Sequence, residues 1–81
     1  AEERVNTAIS QVTGGMELSK DQHHWLELIR QRLVADLAIE PEDFDLHPLD
    51  EMGGFARANR VFGGSLRDLL NRLNWAIAQA A

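Results

Sequence analysis

Residues 19–37 read SKDQHHWLELIRQRLVADL, and this stretch decides the fold. Ser19 followed three residues later by Gln22 is a capping box. Each side chain reaches the other's backbone N–H and satisfies donors that the first helical turn would leave orphaned. Beyond the cap, at about 100° per residue, Trp25, Leu26, Ile29, Leu33 and Leu37 share one face. The spacing predicts one long helix running to Leu37, with a stripe that belongs to a core and not to a cofactor box.

Working outward, the same period recurs on both sides. Val5, Ala8, Ile9 and Val12 stand at helical spacing in residues 2–12, and Thr13-Gly14-Gly15 stops them. Pro41 suits the first position of a short helical turn over residues 41–45, since its φ is fixed and it lacks an N–H. His47-Pro48 ends that turn, because a residue before proline avoids the helical region. Gly53-Gly54 opens a helix over 55–62 with Phe55, Ala58, Val61 and Phe62 inward and Arg57 and Arg60 outward. Gly63-Gly64 closes it, with a glycine in the left-handed conformation. Ser65 is placed to cap a last helix whose first turn holds Asp68, where negative charge complements the dipole. Leu66, Leu69, Leu70, Leu73 and Ile77 form its buried stripe. No segment alternates with period two. The expected fold is all-α, a small bundle of four to five helices, with Trp25, Ile29, Leu33, Phe55, Phe62, Leu69, Leu70, Leu73 and Ile77 in the core.

Eighty-one residues fit one domain, and a domain this short buries only about 60% of its unfolded surface, so its stability is marginal. There is no cysteine, hence no disulfide and no thiolate metal site, which fits a reducing cytoplasmic setting. The longest apolar run, Trp75 to Ala78, is far short of the roughly 20 residues that span a bilayer. Ala1 leads straight into a helical pattern with no initiating Met, as expected of a piece of a longer protein. Net charge is −5 overall, yet residues 1–51 hold twelve acids against four bases, giving −8, and residues 52–81 hold four arginines against Asp68, giving +3. An acidic whole argues against gripping DNA unaided, because phosphate neutralisation drives most nucleic-acid affinity.

The residues that could carry chemistry form no recognisable site. His23 and His24 are adjacent and so point about 100° apart on a helix, which is not the i, i+4 pairing of a metal site. His47 stands alone before a proline. Glu40, Glu42, Asp43, Asp45, Asp50 and Glu51 lack the spacing of an EF-hand loop and read as a solvated acidic connector. Ser10, Ser19 and Ser65 have no nucleophile-elbow context, and the Gly-Gly pairs are not followed by the Lys-Ser/Thr of a phosphate loop. No catalytic residue, metal ligand or cofactor site is expected in this chain. The one outlier is Trp75, which falls about 180° from the leucine stripe of the last helix. Asn71, Arg72, Asp68 and Gln79 are its neighbours, with Arg67 at the margin. Tryptophan and arginine together are the residues most enriched at interface hot spots. Arg57, Arg60, Arg67, Arg72 and Trp75 are the candidate partner-binding residues; the alternative for Trp75 is that helix 2–12 or the acidic connector folds over it within the domain.

Four runs of the chain carry a family resemblance: Trp25-Leu26-Glu27-Leu28-Ile29-Arg30, Ile39-Glu40-Pro41-Glu42-Asp43-Phe44, Gly53-Gly54 with Phe62-Gly63, and Leu69-Leu70-Asn71-Arg72-Leu73-Asn74. In this order and spacing they resemble the extreme C-terminus of type I restriction enzyme R subunits, which end in W-L-x-x-I-R, I-E-x-x-D-F, G-G-x-x-x-A reaching F-G, and L-L-x-x-L-N. The likeness covers about residues 18–78. It divides the chain into a lead-in helix (1–15) and a family-like region (16–81). Trp75 departs from the pattern, because the family usually places a charge there. The resemblance implies a large ATP-dependent parent enzyme, using ATP and Mg, that translocates and cleaves DNA in a bacterial or archaeal cytoplasm. Its nuclease and motor domains lie upstream. It further implies that this tail is non-catalytic and attaches the motor subunit to the methyltransferase core of modification and specificity subunits. A DNA-contacting module built on the arginines, and a brace for the motor of the same subunit, are the alternatives.

Overall fold

The computed structural model describes residues 2–80, and among these it contains helices and turns but no strand. Helix α1 spans Glu2–Thr13, α2 Lys20–Asp36, α3 Gly54–Val61 and α4 Leu66–Gln79. Two 3-10 turns, Pro41–Asp45 and Asp50–Met52, fill the connection between α2 and α3. Helix α1 lies against α4 and α2, while α3 packs on both short turns, α2 and α4.

The capping box at the start of α2 forms as the sequence predicts: Gln22 N–H donates to Ser19 Oγ at 3.1 Å, and Ser19 N–H donates to Gln22 Oε1 at 2.9 Å. The Gln22 amide has a second role that only tertiary structure reveals. Its Nε2 donates to the Val61 carbonyl at 3.0 Å and so ties the start of α2 to the last turn of α3. Helix α2 ends at Asp36, with Leu37 left-handed at φ 59° and its N–H donating back to the Leu33 carbonyl. That conformation is costly for a branched side chain, and the packing of half-buried Leu37 against the core offsets it.

The pairs Gly53-Gly54 and Gly63-Gly64 close their preceding turn in the same way. Gly64 N–H donates to the Asn59 carbonyl and Gly63 N–H to the Arg60 carbonyl, the paired bonds of a Schellman motif with Gly63 left-handed at φ 66°. Gly54 and Gly53 repeat the pattern onto Leu49 and Asp50. The first pair therefore ends the Asp50–Met52 turn, which the periodicity did not predict, as well as starting α3. One expectation is corrected here. Ser65 does not cap α4: at ψ 16° its backbone is not extended, and its hydroxyl donates to the Phe62 carbonyl at 2.6 Å. The free N–H of Leu66 is instead satisfied by Asn59 Oδ1 at 3.1 Å, from α3.

Trp25, Ile29, Leu33, Phe62, Leu69, Leu70, Leu73 and Ile77 are all buried as expected. Phe55 is only half-buried and sits at the core's edge, its ring edge-on to Phe44 with centroids 5.5 Å apart. The core also takes in Ile39, Phe44 and Leu49 from the acidic connector, each at most 1% exposed. Phe44 lies 6.0 Å from Trp25, centroid to centroid. Asn74 of α4 fixes this segment: its Oδ1 accepts from Ile39 N–H at 2.9 Å and its Nδ2 donates to the Ile39 carbonyl at 2.8 Å. Asp43 closes the turn by accepting from Glu40 N–H at 2.8 Å. The two runs Ile39–Phe44 and Leu69–Asn74 are thus joined directly in space.

Candidate docking surface

The inner face of α4 is consumed by packing: Leu66, Leu69, Leu70, Leu73, Ala76 and Ile77 are buried. Its outer face is free. Trp75, on that face, is 66% exposed, the largest apolar side chain to stand so far out of the core. The indole lies beside Asn71, Arg72 and Ala76 and faces Gln11 and Val12 of α1, where the two helices leave an open hollow. The helices run antiparallel there, since Arg4 near the start of α1 donates from Nε to the Ile77 carbonyl near the end of α4 at 2.9 Å.

A second hollow continues along the seam, lined by Val12, Met16, Phe62, Leu69 and Arg72 among others. Met16 is 51% exposed. It follows Thr13-Gly14-Gly15 and belongs to no helical stripe, so periodicity gave no reason to single it out. Val12, in helical register with Val5, Ala8 and Ile9, is half-buried: it packs against the core and also lines both hollows.

The five sequence-predicted residues do not form one patch. Arg72 and Trp75 share the α1–α4 groove, with Arg72 Nε 3.0 Å from Asp68 Oδ2. Arg67 lies on the opposite flank of α4, its guanidinium over the Phe55 ring at 5.6 Å from the centroid. Arg57 and Arg60 project from the outer side of α3, both exposed, and neither has an ion-pair partner among the described residues. Arg57 also folds back over Gly53, where a Cβ would lie 2.6 Å from Arg57 Cδ.

The remaining polar side chains hold structure. Arg30 chelates Glu27 through Nε–Oε2 and Nη2–Oε1 contacts of 2.9 and 2.7 Å and reaches Glu2 of α1 at 3.2 Å. That hydrogen bonding holds the Glu27 carboxyl down to about 2. Arg32 pairs with Asp36 at 2.8 Å and leans toward Asp43 at 3.7 Å. His23 and His24 are exposed beside Lys20 and Asp21, and His47 Nε2 meets Glu51 Oε1 at 2.7 Å. Among the described residues no three histidine or carboxylate side chains converge closely enough to hold a metal ion. No helix there is long and apolar enough to cross a membrane.

The chain as a whole has counterparts in known sequences. The chain is 29% identical over 73 residues to the type I restriction enzyme EcoKI endonuclease subunit of Escherichia coli strain K12. The matched stretch covers 90% of this chain and 6% of that protein. No solved structure matches the chain. Residues 1–78 match the family described as EcoEI R protein C-terminal, a span that takes in α1 as well as the region from residue 16 onward. With the match running through all four helices, the chain belongs to that family and is a C-terminal domain of a type I restriction enzyme R subunit.

Proposed function

We propose that this domain docks its R subunit onto the methyltransferase core of modification and specificity subunits and contributes no catalytic group itself. The observation that carries this is the exposed indole of Trp75 in the groove between α1 and α4. The buried stripe of α4 is complete without it, so folding gives no reason for a tryptophan there. A partner pocket does, since tryptophan and arginine are among the residues most enriched at interface hot spots. Cleavage, ATP and Mg use are assigned to the rest of a parent some fifteen times longer, in keeping with the 6% of the EcoKI subunit that this chain matches. DNA is reached through the assembled complex.

The test is made in the whole R subunit. Trp75→Ala should weaken its capture by the methyltransferase core by about 2 kcal/mol, or roughly 30-fold, with helicity unchanged. Reversing Arg57 and Arg60 to glutamate should mainly slow association, because peripheral charges steer encounter. Normal assembly by both variants, each folded, would move the contact to the acidic half of the domain. Deletion of the domain that destabilises the isolated subunit yet leaves assembly intact would make it a brace for the motor. A steep loss of binding with salt would point to a phosphate track along the arginines. Residues 1–81 alone should hydrolyse neither ATP nor DNA, and a chelator should leave their melting unchanged.

A further inference from the structure

Resting on that docking role, we propose that the α1–α4 groove receives one amphipathic helix of the methyltransferase core, with apolar residues at i and i+7 and a carboxylate midway between them. The two hollows of the groove adjoin at Val12 and Arg72, one following the other along α4. Leu69 floors one hollow and Ala76 the other. Seven residues separate them, about 10 Å along the axis at 1.5 Å per residue. A helix laid along α4 presents side chains at that same separation two turns apart, which is how amphipathic helices anchor in grooves. One anchor would meet Met16 and Phe62, the other Val12 and the Trp75 indole.

Arg72 stands between the two hollows and sets the charge of the middle position. Its only ion partner among the described residues is Asp68, one turn back on its own helix, and both side chains are about two-thirds exposed. The molecule already shows how such a pair is completed. Arg30 holds Glu27 on its own helix and at the same time Glu2 from the helix packed beside it. Arg72 and Asp68 reproduce the first half of that arrangement and lack the second. A carboxylate three or four residues after the first anchor of the incoming helix would take the place that Glu2 has beside Arg30.

The experiment places a photo-crosslinking amino acid at Met16 or at Trp75 in the whole R subunit, mixes it with the methyltransferase core and sequences the adducts. Both positions should label one helical segment of the core, at sites about seven residues apart with an aspartate or glutamate between. Arg72→Glu should weaken capture roughly tenfold, and replacing that acid by arginine should restore it. Labelling of two unrelated segments, of an extended strand, or of neither position would overturn the helix-in-groove proposal. So would a failure of the charge swap to rescue, in subunits whose helicity is intact. Deletion of the whole domain separates the two levels: if deletion abolishes assembly while the crosslinks fail, docking stands and the groove is not its site. If deletion leaves assembly intact, both fall.

Discussion

The acidic connector between α2 and α3 and the seam between α1 and α4 treat their side chains in opposite ways. The connector, rich in carboxylates, looks like a solvated loop, yet Ile39, Phe44 and Leu49 are buried and the polar groups around them serve folding. Asp43 closes a turn, Asn74 clamps the Ile39 peptide, and Arg32 reaches Asp36 and Asp43. The seam, made of two regular amphipathic helices, leaves Trp75 and Met16 in solvent and an arginine that, among the described residues, is paired only along its own helix. Apolar groups inside a loop and outside a helix pair are both departures from the usual pattern. In the connector the departure is explained within the chain. On the seam it is not, and the proposed docking rests on that difference.

The contrast can be broken most severely at the core beneath the seam. Leu70 is 2% exposed, and Leu70→Ala should cost about 2–5 kcal/mol in urea unfolding, a large share of so small a domain's stability. A loss well under about 1 kcal/mol would mean that the inner face of α4 is not the packing face. Next in size is Asn74→Ala, which orphans the N–H and C=O of buried Ile39 and should cost about 1–3 kcal/mol. Hydrogen exchange at the Ile39 amide should accelerate in step. If the amide stays protected, the connector is held by its apolar anchors alone.

Trp75→Ala should change stability by no more than about 0.5 kcal/mol, as exposed substitutions do. A larger loss would make the indole part of the fold and remove the contrast. The smallest effect is acid-dependent. Arg30 and Gln31 hydrogen-bond the Glu27 carboxylate and hold its pKa down to about 2 from the usual 4.5. A depressed carboxyl contributes stability above its unfolded value and loses that contribution as pH falls from 4.5 toward 2. Thermal melts across that range should show a slightly steeper decline for the native chain than for Glu27→Gln. The pair is exposed, so the difference should be slight and should shrink in salt.

Much of this was legible in the residues. Caps, glycine pairs and the 3.6-residue period located all four helices, because those signals are local and act within a few residues of themselves. Trp75 was legible as outward for the same reason: helical geometry alone puts it opposite the leucine stripe. Ser65 was misread because a serine ahead of a helix caps it only if its backbone is extended, and here the Schellman turn at Gly63-Gly64 sets the backbone while Asn59 supplies the acceptor. Burial of Ile39 and Phe44 was hidden because their partners, Trp25, Phe55 and Asn74, come from three different helices. The candidate surface divides along the same line. Sequence determined which side chains α3 and α4 turn outward, since periodicity fixes the face each residue takes. Only tertiary structure decided which of them meet, because Arg72 and Trp75 join Val12 and Met16 through the packing of α1, while Phe55 draws Arg67 to the other flank.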